Sequence, residues 1–176
     1  FSDDSLTRSL SGGSKISRST DGGVTWNEIF VHTGAVDSVI ENSDGSFVFR
    51  TPSPHREENA VYRYANGNST RTFSGGIAPI EPWIGLLKAK DGGIYFIETD
   101  TSADITTIDY MEEGTAFLAA YKSTDNCVTW AKLGVLPNSW SIQGSVMEGS
   151  DGSLYAASHS PCTTKDALYK STDKGL

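Results

Sequence analysis

An all-β propeller of four-stranded antiparallel blades is the fold class this sequence predicts, and three observations carry the prediction. One turn motif recurs: Ser19-Thr20-Asp21-Gly22-Gly23-Val24-Thr25-Trp26 returns at 123–130 as S-T-D-N-C-V-T-W, and its opening, S-T-D-K-G, stands at 171–175. A second motif interleaves with it, S-D-G-S-F-V-F at 43–49, K-D-G-G-I-Y-F at 90–96 and S-D-G-S-L-Y-A at 150–156. The 18 glycines and 6 prolines in 176 residues favour many turns and short strands over long helices.

Each element follows from these motifs. A D-G pair entering an apolar, aromatic-rich run is the strongest short-range hairpin signal. Each such pair is preceded by another short strand, at 36–42, 83–89 and 141–148. Strands A and B are therefore joined by the D-G turn, and strands C and D by the S-T-D turn. A worn copy of the second turn, Y-A-N-G-N-S-T at 64–70, puts Asn66 in the Asp place. Asp21, Asn66, Asp125 and Asp173 then follow one another at intervals of 45, 59 and 48 residues. Four-stranded units at such intervals mark propeller blades.

The blade boundaries predicted within one partial domain spanning 1–176 are strands C and D of a first blade at 14–30, complete blades at 36–74 and 82–133, and an incomplete blade at 141–176. About three and a half blades fall short of the four or more that close a ring. The chain therefore reads as a fragment of a longer protein or as a half-ring that closes by self-association. The final motif stops before its T-W, which favours the fragment.

S-x-D-x-G-x-T-W resembles the Asp-box of BNR-repeat proteins, a group that includes sialidases, some other glycosidases and sortilin-type receptors. The resemblance covers roughly 14–175 and implies a propeller whose C–D hairpins carry the boxes. It assigns a structural role to Ser19, Asp21, Gly23, Thr25, Trp26, Ser123, Asp125, Thr129, Trp130, Ser171, Asp173 and Gly175. The chemistry suits a turn staple. Small hydroxyls and carboxylates bond backbone N–H groups across a turn, glycine accepts positive φ, and tryptophan covers the hairpin. Cys127 stands where the family has glycine, so either that position gives up positive φ or another residue absorbs it. The resemblance also implies an extracellular, periplasmic or cell-surface setting.

Composition bounds the partners. A net charge of −8 and a pI near 4.8 argue against nucleic acid and against anionic lipid. No window is apolar for the length of a membrane span. Two cysteines, Cys127 and Cys162, show no metal-binding spacing, and a disulfide between them is left open.

In an up-and-down sheet the D-G turns and the boxes share one end. The B–C and D–A connections share the other, where ligand residues of such scaffolds lie. Candidate ligand-binding residues there are Arg50, His55, Arg56, Trp83, Trp140 and His159; rings stack on sugar faces and charged groups fix hydroxyls or an acid. Candidate catalytic residues are Glu98, Asp100, Asp109 and Tyr110, because glycoside hydrolysis needs paired carboxyl groups or, in sialidases, a tyrosine nucleophile. Phe49-Arg50-Thr51-Pro52 resembles the F/Y-R-I-P motif of sialidases, whose arginine binds the sugar carboxylate, with Thr51 in the isoleucine place. No cofactor is expected; the acidic 98–113 loop is the one candidate for calcium, without EF-hand spacing. The expected function is binding or hydrolysis of glycans, with a carbohydrate ligand. The alternative is a non-catalytic propeller that acts as a protein-interaction or surface-structural module.

Overall fold

The structure is a computed structural model and describes residues 8–10, 13–51, 58–77, 85–99, 118–136, 146–159 and 166–173. The described residues contain strands and no helix. The first sheet holds β1 (Arg8–Leu10), β2 (Gly13–Arg18) and β3 (Asn27–His32). The second holds β4 (Ser38–Glu41), β5 (Phe47–Thr51), β6 (Glu58–Ala65) and β7 (Asn68–Ile77). The third is built from β8 (Leu87–Lys88), β9 (Ile94–Thr99), β10 (Leu118–Ser123) and β11 (Ala131–Leu136). The fourth comprises β12 (Met147–Glu148), β13 (Leu154–His159) and β14 (Asp166–Ser171). Every pairing is antiparallel between chain neighbours, the organisation of propeller blades. The first sheet gains β1, which sequence reading passed over because 1–11 is serine-rich and does not alternate.

The three D-G turns are built alike. Asp44, Asp91 and Asp151 each accept a hydrogen bond from the N–H two residues on, at 2.9–3.0 Å. Gly45, Gly92 and Gly152 take φ of 78°, 83° and 79°, which only glycine adopts without strain. A cation from strand C reaches each aspartate: Arg63 to Asp44, Lys122 to Asp91 and Lys170 to Asp151. These contacts put the D-G turns and the boxes at one end of the sheets.

The boxes form the staple that their residues suggest. Ser19 Oγ donates to Asp21 at 2.8 Å and accepts from the Gly23 N–H; Asp21 in turn accepts from the Thr25 N–H and hydroxyl. Ser123, Asp125 and Thr129 repeat the pattern, and Ser171 donates to Asp173 at 2.7 Å. Trp26 closes on its own turn through Nε1 to the Gly23 carbonyl. Positive φ is kept in both complete turns, at Gly22 and Gly23 (72° and 89°) and at Asn126 and Cys127 (56° and 63°). Cys127 thus adopts the glycine conformation itself. Its buried thiol, free of any disulfide, fills the contact between the second and third sheets. Burial pushes that thiol up to about 12. Asn126 is held by its carbonyl, which accepts from Asn42 Nδ2 and Arg63 Nε. The worn copy is no box: Asn66 and Gly67, at φ of 53° and 81°, make a two-residue hairpin turn between paired Ala65 and Asn68.

The box aspartates are held strongly ionised. The Thr25 hydroxyl and N–H, with the Ser19 hydroxyl, hold Asp21 at about 2. Burial disfavours the Asp125 charge, but Thr129 and Ser123 outweigh it and hold that group at about 2 as well. A carboxyl lowered on folding stabilises the fold above its unfolded pKa, and that contribution is lost as pH falls through the folded value. Asp125→Ala is accordingly expected to cost about 1 kcal/mol or less at pH 7, because the carboxylate is exposed and solvent screens its charge. Its deficit against the parent should vanish in acid unfolding between pH about 4 and about 2, followed by tryptophan fluorescence. A deficit that persists unchanged at pH 2 would assign the cost to packing.

The second and third sheets each present one apolar face backward and one forward along the chain. Phe47 and Phe49 face backward onto Ile16 and Phe30 of the first sheet. Val48 and Val61 face forward onto Ile94, Phe96 and Tyr121 of the third. Ile97 and Leu118 face forward onto Val146 and Ala156 of the fourth. The C–D pairings share one irregularity: a bulge falls after Ile16, Val61 and Ala120, leaving Ile29, Thr72 and Leu133 as the extra residue on strand D.

Candidate functional site

The end opposite the boxes carries one buried polar cluster. Arg50 is the penultimate residue of strand β5, and its side chain is 1% exposed. The pleat aims Arg50 forward with Val48, while Glu98 in β9 points backward with Phe96. The two therefore meet across the boundary between the second and third sheets, Arg50 Nη2 at 3.4 Å from Glu98 Oε2. Glu98 is also 1% exposed, and its Oε1 accepts from Asn59 Nδ2 at 3.0 Å. Arg50 Nη1 donates to Asp37 Oδ2, and the Asp37 N–H donates to the Arg50 carbonyl at 3.3 Å. Burial raises the Asp37 carboxyl above its ordinary value; Arg50 opposes the rise, and Glu98 adds to it.

Pseudo-symmetry shows what is unusual here. One sheet on, the positions of Arg50 and Asn59 are occupied by Ile97 and Leu118, which pack in an apolar cluster. The fold accepts aliphatic side chains at these places, and a buried ion pair is often no more stable than well-packed apolar residues. Packing alone does not account for the charges.

The candidates raised from the sequence divide into two sets. Arg50 and Glu98 are brought together. His55, Arg56, Trp83, Asp100, Asp109, Tyr110 and Trp140 lie outside the described residues, as does Gly175 of the last box. His159 ends strand β13, paired in backbone register with Asp166, and its side chain is not described. Sequence reasoning missed Asp37 and Asn59. A signal for Asp37 was present, since V-D-S-V-I puts a carboxylate at the mouth of an apolar strand. Among the described residues no group of three or more His, Cys, Asp and Glu is arranged to hold a metal ion. Among the described residues there is no helix long and apolar enough to cross a membrane.

No protein-family model and no curated protein matches the chain. Solved structures similar to it include an α-L-arabinofuranosidase of Fusarium graminearum solved with an iminosugar inhibitor, at 14% identity and a TM-score of 0.46, covering 78% of this chain and 45% of that one. A sialidase of Trypanosoma rangeli solved with sialic acid gives 14% identity and 0.49, over 89% of this chain and 26% of that one. An exo-β-1,3-galactanase of Clostridium thermocellum gives 13% and 0.40, over 91% and 39%. The chain spans less than half the length of each.

Proposed function

We propose that this chain supplies blades to a propeller that binds or hydrolyses glycans outside the cytoplasm, with the Arg50 cluster at its working face. One observation carries the reading. A charged network of Asp37, Arg50, Asn59 and Glu98 stands at the loop end of one sheet boundary where the next has aliphatic residues. In this reading Arg50 anchors a polar or acidic ligand group, and Asp37, whose carboxyl burial favours the protonated form, supplies a proton. Glu98 is the second carboxylate that hydrolysis requires. Asp100, Asp109 and Tyr110 follow it in the chain and complete the set of candidates, while Trp83 and Trp140 are the rings proposed to stack on sugars. The domain is read as one partial propeller, completed by further blades or by a second copy.

The near-complete burial of Arg50 and Glu98 against each other favours a second reading, in which the cluster locks two blades of a non-catalytic interaction module. A glycan array and a panel of aryl glycosides separate the two. Signal on either that is lost in Asp37→Asn and Glu98→Gln variants, with folding intact, supports the first. Absence of both binding and hydrolysis sinks it.

A further inference from the structure

The hairpin that joins β6 to β7 differs from the two complete boxes in what stands at its tip. In the boxes, Ser19, Asp21 and Thr25 bond one another across the turn, and so do Ser123, Asp125 and Thr129. The worn hairpin turns in two residues, Asn66 and Gly67, and β7 begins at once with Asn68-Ser69-Thr70. That triplet is the one place in the sequence where asparagine is followed two residues on, with no proline between, by serine or threonine. Every residue from Asn66 to Thr70 is exposed. Asn42 and Asn59, by contrast, are buried and have no hydroxyl residue two places on. Asn68 Nδ2 donates to the Asn66 carbonyl at 3.2 Å, within its own turn. Strand alternation puts Asn68 and Thr70 on one face, carboxamide beside hydroxyl. As a C–D hairpin, this tip lies at the box end of the sheets, away from the Arg50 cluster.

We propose that Asn68 is a modification site, the acceptor of an N-linked oligosaccharide. An exposed Asn-x-Ser/Thr triplet is the acceptor pattern, and a bulky, hydrated chain is tolerated only at a surface turn. The step is a group transfer from a lipid-linked pyrophosphoryl oligosaccharide. Asn68 Nδ2 forms a bond to the anomeric carbon of the donor sugar, and the bond from that carbon to the pyrophosphate oxygen breaks. The lipid pyrophosphate leaves with the electron pair, and the amide proton passes to a base of the transferase. The added chain projects from the box end and displaces no core side chain, so the loop end stays open. The inference rests on the reading that the chain works outside the cytoplasm, and it makes no use of the Arg50 cluster.

The test places the full chain behind a cleavable secretion leader in a eukaryotic cell line. Product is analysed in the cells as well as in the medium, so a chain that is retained still reports. The expected result is one discrete mass step, removed by peptide N-glycosidase with conversion of the carboxamide at position 68 to a carboxylate. Asn68→Gln and Thr70→Ala should each abolish the step completely. Thr70→Ser, which keeps the hydroxyl, and Asn66→Gln, which alters the neighbouring asparagine, should retain it. The proposal is overturned if the parent chain carries no step, or if the step survives Asn68→Gln or Thr70→Ala. The leader takes the chain across the membrane wherever the native protein resides. Absence of sugar therefore overturns this proposal alone, and the glycan array and aryl glycosides judge the other reading.

Discussion

Replacing Arg50 with alanine is expected to destabilise the protein by about 3–5 kcal/mol, the cost of removing one partner from a buried ion network. The guanidinium is the cation facing both Asp37 and Glu98, and it bridges two sheets. Without it, the Glu98 charge acts on Asp37 with no guanidinium to oppose it. The Asp37 carboxyl, already raised by burial, should then lie further above its value in the unfolded chain. A carboxyl raised on folding leaves stability intact below its unfolded pKa and loses it as pH rises through the folded value. The deficit of Arg50→Ala should therefore be full at pH 7 and shrink toward pH 4. Urea denaturation at a series of pH values measures it. Exchange for methionine together with Glu98→Leu imitates the apolar solution of the next sheet boundary and should recover most of the loss. A double variant as unstable as Arg50→Ala would show that the charges themselves hold the two sheets together.

Phe96→Ala should cost a similar amount, about 3–5 kcal/mol. Phe96 is buried at the centre of the second boundary, stacked on Tyr121 at 5.3 Å and edge-on to Phe73 and Trp130. Its ring comes from the third sheet and Phe73 from the second, so truncation opens a cavity in the contact between sheets. Ala156, at the same register of the fourth sheet, lines a cavity between the third and fourth sheets. Denaturant midpoints give the loss, and near-ultraviolet circular dichroism should report loosened aromatic packing with the strands retained. A loss under 1 kcal/mol would mean that Trp130 collapses into the space.

What could be read from the sequence was local chemistry. Ser19, Asp21 and Thr25 bond one another within seven residues, so the motif contains its own partners. The D-G turns are equally self-contained. Reading failed where partners are remote. Asn66 kept the position of a box aspartate, yet a two-residue turn removes the backbone donors that such a residue would hold. Arg50 drew notice through its resemblance to a motif, but nothing local ties it to Glu98, 48 residues away and on another sheet. Asn59 is an ordinary polar residue until Glu98 is set against it at 3.0 Å.

The bulge repeated in each C–D pair has a consequence for how this chain tolerates insertions and deletions. Eight residues separate the paired Arg18 and Asn27, and eight separate Lys122 and Ala131. Only six separate Arg63 and Thr70, which hold the same places around the worn turn. The contraction is by two, and strand side chains alternate with a period of two, so every later residue of β7 keeps its face. A loss of one residue would turn Phe73 outward and bring a solvent-facing side chain against Phe96. The hairpins at this end of the sheets can therefore shorten or lengthen in pairs, and a change by a single residue must be absorbed by gaining or erasing a bulge.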